Sequence, residues 1–116
     1  MPKYEVNAAG VAHARELIDA GEYDDTTEWS QAAPSAAEEN EEREDEGQEG
    51  YAEWHLAVDP DKGEGTKGRY RFPYGDFSTV NRAALIHAKQ RASQNDHPSI
   101  EKAADDLLQR LDAKRG

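Results

Sequence analysis

Pro98-Ser99-Ile100-Glu101-Lys102-Ala103-Ala104-Asp105-Asp106-Leu107-Leu108-Gln109-Arg110-Leu111 is the stretch whose reading decides the fold. Ile100, Ala103, Ala104, Leu107, Leu108 and Leu111 recur at i, i+3, i+4, i+7, i+8 and i+11, which gathers apolar side chains on one face of a helix. Pro98 suits the first turn, where its missing N–H would have no partner. His97 or Asp96 stands at the cap. A helix with one apolar face must cover something. Just upstream, Val80, Ala83, Ala84, Ile86, His87 and Ala88 make a second, broader face. Ser78 or Thr79 can cap that helix, and it would run to about Ser93 with Asn95 as its stop. The connection between the two is about four residues, so an antiparallel helix pair is expected at the C-terminus.

Upstream of this pair, Trp54, Leu56 and Val58 alternate as a half-buried strand requires, although Tyr51, Trp54 and Leu56 also fit a helical turn. Pro60-Asp61-Lys62-Gly63-Glu64-Gly65 is turn chemistry. Arg69-Tyr70-Arg71-Phe72 then alternates again, and Pro73 ends that ladder or confines it to an edge. The expectation is a short two-stranded hairpin, which the helices must cover. At the N-terminus Asn7 can cap a helix from about Ala8 to Ala20, with Val11, Ala14, Leu17 and Ile18 as its stripe and Gly21 as its stop. Residues 22–34 read as an irregular connection that Trp29 pins to the core. The fold class expected is α+β: three to four helices, the hairpin and the C-terminal helix pair, in one domain spanning residues 1–116. The expected core is Leu17, Ile18, Trp54, Leu56, Val58, Tyr70, Phe72, Leu85, Ile86, Ile100, Leu107, Leu108 and Leu111.

Hydrophobic residues make up 35% of the chain and charged residues 34%, so that core has to be modest. The net charge is −11 and unevenly spread. Residues 1–60 hold 17 acids and 3 bases (−14), whereas residues 61–116 hold 8 acids and 11 bases (+3). The acids concentrate in an arm, residues 36–50, with Glu38, Glu39, Glu41, Glu42, Glu44, Asp45 and Glu46 facing the single base Arg43. Ser35 and Glu38 fit a capping box, so a helix to about Asp45 can start there. Like charges at i, i+3 and i+4 repel, and a frayed or flexible segment ended by Gly47 and Gly50 is expected.

A resemblance appears in the second half. Trp54-His55-Leu56, the run Lys67-Gly68-Arg69-Tyr70-Arg71-Phe72-Pro73-Tyr74-Gly75-Asp76-Phe77, and Val80-Asn81-Arg82-Ala83-Ala84-Leu85 with Arg91 and Gln94 resemble a family of uncharacterised small bacterial proteins, largely actinobacterial. Residues 54–112 are also similar, more weakly, to a small domain found beside or fused to phage prohead proteases. The resemblance implies a small α+β or mostly helical domain and carries no catalytic residue with it.

Chemistry is sparse. There is no cysteine, which removes disulfides, thiol nucleophiles and thiolate zinc sites. His13, His55, His87 and His97 show no i, i+4 pairing, so no metal and no cofactor is expected. His87 reads as a hydrogen-bonded core residue. No Gly-x-Ser-x-Gly elbow or phosphate-cradling loop is present, and enzymatic activity is the less favoured reading. Tyr74-Gly75-Asp76-Phe77 lies between strand and helix, a common place for sites. There Asp76 and Arg82 would pair: the favoured reading is a helix cap with a salt bridge, and the alternative is a polar recognition patch beside Tyr70 and Tyr74, with Phe77 among the exposed aromatics of 70–77. Lys67, Arg69, Arg71, Arg82, Lys89 and Arg91 interleave with aromatics, a pattern that can grip phosphates and stack bases.

Three functions follow in order of preference. The first is a non-enzymatic, acidic protein-interaction or accessory module, in a phage-linked setting if the weaker resemblance holds, with another protein as partner. The second is a nucleic-acid-associated regulator using the basic and aromatic segment 67–91, masked by the acidic arm. The third is a small-molecule or enzymatic site at the 74–82 turn. No apolar run reaches membrane length and no apolar leader opens the chain, so a cytoplasmic protein without a membrane partner is expected.

Overall fold

The structure is a computed structural model that describes residues 4–63 and 66–115, the side chain of Lys67 excepted. Glu64 and Gly65 of the expected turn lie outside the described residues. The fold is α+β. In chain order it runs β1 (Glu5–Val6), α1 (Ala8–Asp19), β2 (Tyr23–Asp24), α2 (Trp29–Ala32), α3 (Ala36–Ala52), β3 (His55–Val58), a 3-10 turn (Lys67–Arg69), β4 (Tyr70–Pro73), β5 (Val80–Asn81), α4 (Arg82–Gln94) and α5 (Pro98–Arg115).

The C-terminal helices pack antiparallel, as their apolar spacing requires. Ile100, Ala104, Leu107, Leu108 and Leu111 of α5 are all buried, opposite Ala84, Leu85, Ala88 and Ala92 of α4. The connection is tight. Asp96 takes a left-handed φ of 58°, and the His97 N–H reaches back to the Ala92 carbonyl at 2.7 Å. Helix α4 starts later than its Ser78 or Thr79 cap would place it. Asn81 is the cap: its side-chain oxygen accepts from the Ala84 N–H at 2.9 Å while its amide donates to the Thr27 carbonyl at 3.0 Å.

The expected hairpin forms, with His55 opposite Pro73 and Ala57 opposite Arg71. It gains a third strand, because Glu5 and Val6 pair antiparallel with Val58 and Ala57, and β4 is left at the edge. A second, parallel pair joins Tyr23 to Val80 and Asp24 to Asn81, inside a segment that reads as irregular from its residues alone. The ambiguity at 51–58 resolves into both alternatives: Tyr51 ends a helix, and His55 begins a strand.

Helix α1 lies on β3 and α5. Gly10 makes this possible, because a Cβ there would collide with the His55 carbonyl. Asn7 does not cap α1 with its side chain. Its amide instead spans to the Ala52 and His55 carbonyls, at 2.9 and 3.1 Å, and ties the start of α1 to the end of α3. The main apolar cluster gathers Ile18, Trp54, Leu56, Tyr74, Val80, Leu85, Leu107, Leu108 and Leu111, with Leu17, Phe72 and Ile86 packed at its margin. Ile100 belongs to a second cluster with Ala57 and Ala92. Val58 and Tyr70 are only half-buried. Trp29 is not in the core; it stays half-buried at the surface.

Part of the charge asymmetry is spent inside the molecule. Arg110 of α5 holds Asp19 at the end of α1 through two bonds of 2.7 Å, and Arg115 holds Asp25 at 2.9 Å. Among the described residues no helix is long and apolar enough to cross a membrane.

Candidate functional site

The five candidate residues, Tyr70, Tyr74, Asp76, Phe77 and Arg82, do not assemble into a recognition patch, nor do Asp76 and Arg82 form the expected salt bridge. Tyr74 is fully buried, stacked on Trp54 with ring centroids 5.4 Å apart. Its hydroxyl donates to the Glu53 carbonyl at 2.7 Å and therefore accepts from Nδ1 of His13 at 2.9 Å. Burial pushes its pKa up. The turn after it is pinned because the backbone of Gly75 sits against the Trp54 ring and the Thr79 carbonyl, leaving no room for a Cβ. Phe77 is half-buried, edge-on to Trp54, and Tyr70 is half-buried against Tyr51 and His55. Asp76 and Arg82 do not pair with each other. Asp76 accepts from the N–H groups of Ser78 and Thr79 at 3.0 and 2.8 Å and so closes its own turn. Arg82 makes a two-point pair with Asp112 of α5, at 2.8 and 3.2 Å. A carboxylate with local N–H donors has no need of the arginine. The same motif recurs across the parallel strand pair. There the Thr27 hydroxyl and the N–H groups of Thr26 and Thr27 hold the Asp24 carboxylate down to about 2.

The acidic arm is a helix that continues past Asp45 to Ala52, broken only at Gly47, whose φ is 74°. The capping box forms as its residues suggest: Ser35 accepts from the Glu38 N–H at 3.2 Å, and Glu38 accepts from the Ser35 N–H at 3.1 Å. Glu38, Glu41, Glu44, Asp45 and Glu46 are exposed. Glu39 and Glu42 are half-buried, and burial together with the Glu46 and Asp45 charges raises the Glu42 pKa. Arg43 lies 5.9 Å from the centre of the Tyr51 ring. Burial, and then the Glu39 charge, raise the Tyr51 phenol to about 12. The inner side of the arm therefore rests on the aromatic ring at its own C-terminal end.

The basic segment separates into engaged and available groups. The Lys67 side chain lies outside the described residues. Arg69 donates to the Lys62 carbonyl at 2.7 Å. Lys89 pairs with Asp105 at 2.8 Å, as Arg82 does with Asp112. Arg71 and Arg91 have no carboxylate partner among the described residues. Both line a groove of about 550 Å³ between β4 and α4. Tyr4, Phe72 and His97 form one side, and Ala84, His87, Ala88 and Asn95 form the other. Trp29 also lines it. His87 is thus exposed in this groove and is not a core residue. No motif marks the groove, because its residues come from four separate segments. The signal available in the sequence was a large aromatic, Trp29, in a segment with little else to bury.

Among the described residues no group of three or more histidine, aspartate or glutamate side chains could hold a metal ion. No protein-family model, curated protein or solved structure matches the chain.

Proposed function

We propose that this is a non-enzymatic, acidic interaction module of the cytoplasm, and that its outward α3 face binds a basic surface on another protein. The observation that carries this reading is the standing of α3. It is 17 residues long, yet only Tyr51 of it is buried. A helix that is polar all round gains little from packing, and its like charges at i, i+3 and i+4 oppose one another. A basic partner surface would relieve that repulsion and use the exposed carboxylates of Glu41, Glu44 and Asp45 on one face, with Glu46 beside them. The phage-linked setting rests on the weaker resemblance read from residues 54–112 alone, with no matching family model or relative behind it.

The nucleic-acid reading has less support. Two of its bases, Arg82 and Lys89, are engaged by α5, and the arm rests on Tyr51 and not on Arg71 or Arg91. A chain at −11 also repels a polyanion at long range. A site at the 74–82 turn has still less, because its tyrosine is buried and its aspartate is occupied with its own turn.

The test is affinity capture from a native lysate at low and high salt. It compares the full chain with a variant carrying Glu41→Gln, Glu44→Gln, Asp45→Asn and Glu46→Gln. The capping box is untouched in that variant, so the helix remains. One protein retained by the wild type, released by salt and lost with the variant is the expected result. Equal retention by both forms overturns the reading. Nucleic acid retained by the variant alone transfers the function to the basic segment.

A further inference from the structure

We infer that the groove between β4 and α4 is a binding site for a small planar organic anion, an aromatic body carrying one carboxylate or phosphate. This site is separate from α3 and uses none of its residues.

The groove is built by spacing. Ala84, His87, Ala88, Arg91 and Asn95 sit at i, i+3, i+4, i+7 and i+11, on one face of α4. Ala84 and Ala88 are both buried and short, which leaves a shallow floor against which a flat ring can lie. The opposite wall is an aromatic cluster already in contact with itself. Tyr4 stacks on His97 with centroids 4.9 Å apart and meets Phe72 edge-on at 6.1 Å. Phe72 meets His97 edge-on at 6.1 Å. Rings fixed by one another lose little freedom when a further ring joins them. The groove volume falls in the range of small-molecule sites, about 300–1,000 Å³.

The charge of the groove is opposite to that of the protein. Arg71 and Arg91 line it, and no carboxylate among the described residues does. Arg71 has its guanidinium carbon 5.5 Å from the Tyr4 ring centre, an orientation that positions the fork without neutralising it. Guanidinium groups bind carboxylate and phosphate oxygens in pairs, so two of them beside aromatic walls match a ligand with a charged end and a flat body.

The backbone adds an independent sign. Phe72, in the groove wall, has a φ of 60°. Non-glycine residues held in that region cluster at active sites and ligand clamps.

The net charge selects the size of the ligand. The field of −11 charges repels a polyanion along its whole length. A mono- or dianion that fits within the groove lies within a Debye length, about 8–10 Å, of the two arginines. A free small molecule is therefore favoured over a nucleic-acid strand that presents the same phosphate and base.

The experiment titrates the full chain with AMP and with naphthoate, following tryptophan fluorescence and backbone amide shifts. Adenosine and inorganic phosphate are the single-feature controls, and a short thymidine oligonucleotide is the polyanion control. Saturable binding of AMP or naphthoate is expected, with amide shifts confined to the groove, at Tyr4, Trp29, 71–73 and 84–97. Each of Arg71→Gln and Arg91→Gln should weaken it by about tenfold or more at unchanged Tm. Both arginines are exposed, so these variants should fold. The inference is overturned by no saturation into the millimolar range, by equal binding of the two variants and the wild type, or by tighter binding of the oligonucleotide than of AMP. Loss of this site leaves the α3 reading intact, because the α3 variant retains both arginines.

Discussion

Helices α3 and α5 are nearly equal in length, 17 and 18 residues, and both are rich in charge, yet they exist for opposite reasons. Helix α5 buries Ile100, Ala104, Leu107, Leu108 and Leu111 and ties four of its charges, Asp105, Arg110, Asp112 and Arg115, to α4, α1 and the segment after β2. Its helicity is a consequence of tertiary packing. Helix α3 buries Tyr51 alone and is held at its start by a reciprocal cap, with Glu38 and Glu39 in the first turn where the helix dipole favours acids. Its helicity is local. The difference teaches that charge content does not decide whether a segment belongs to the core. Apolar spacing does, and α3 has none.

Leu111→Ala in α5 should give the largest effect. The side chain is fully buried against the α1–α4 side of the core, and such truncations cost about 2–5 kcal/mol. The thermal midpoint should fall by on the order of 10 °C. Glu41→Ala on the outward side of α3 should stay within about 0.5 kcal/mol. Thermal and urea unfolding of the two variants measure the contrast. Similar losses in both would mean that α3 is as integral to the fold as α5, and the comparison would break.

His55 joins the two regions, and acid should show it. The residue starts β3, and its Nδ1 donates to the Tyr51 carbonyl at the end of α3, at 3.0 Å. Burial lowers its pKa to about 4 from an ordinary 6.5. Between those values the unfolded chain binds the proton and the folded chain does not. Stability therefore falls as pH drops from 6.5 towards 4, by about 2–3 kcal/mol in all at one proton's slope. Urea midpoints measured across that window should show the slope, and His55→Gln should flatten it whatever it does to the absolute stability. An unchanged slope in the variant would assign the acid sensitivity to the carboxylates instead.

How much of this could be read from the residues depends on the range of the contacts. The α5 stripe, the α1 stripe, the hairpin and the Ser35 cap are set within about a dozen neighbours, and local spacing reveals them. The β2–β5 pair joins residues 57 apart and is only two residues deep, so no local pattern marks it. Tyr74 and Trp29 exchange the places expected of them, the tyrosine going to the core and the tryptophan to the surface groove. Both are large rings with one polar atom, and composition cannot rank them. Tyr74 is drawn inward because His13 and the Glu53 carbonyl, 61 and 21 residues away, satisfy its hydroxyl. The neighbours Ile86 and Ala88 suggest the apolar side for His87, but the buried side of α4 runs through Leu85, Ala88 and Ala92, and His87 turns to the groove. The groove itself needed four segments to meet, which is why a motif search along the chain passes over it.

Ser35→Ala should give the smallest of these effects and the most local. It removes the oxygen that accepts from the Glu38 N–H, and loss of such a cap costs about 1 kcal/mol. In a helix held by packing, that cost would appear in global unfolding. In α3, which has little packing, it should appear as fraying of the first turns, with faster amide exchange at Glu38 and Glu39 and reduced helical circular dichroism. Amides of α5 should exchange at their original rates, and the global midpoint should stay within about 0.5 kcal/mol, as for a surface change. Were α5 to exchange faster as well, the arm and the body would be one cooperative unit. Its carboxylates would then be part of the fold, and the exposed ones from Glu41 to Glu46 would no longer be free to adjust to a partner.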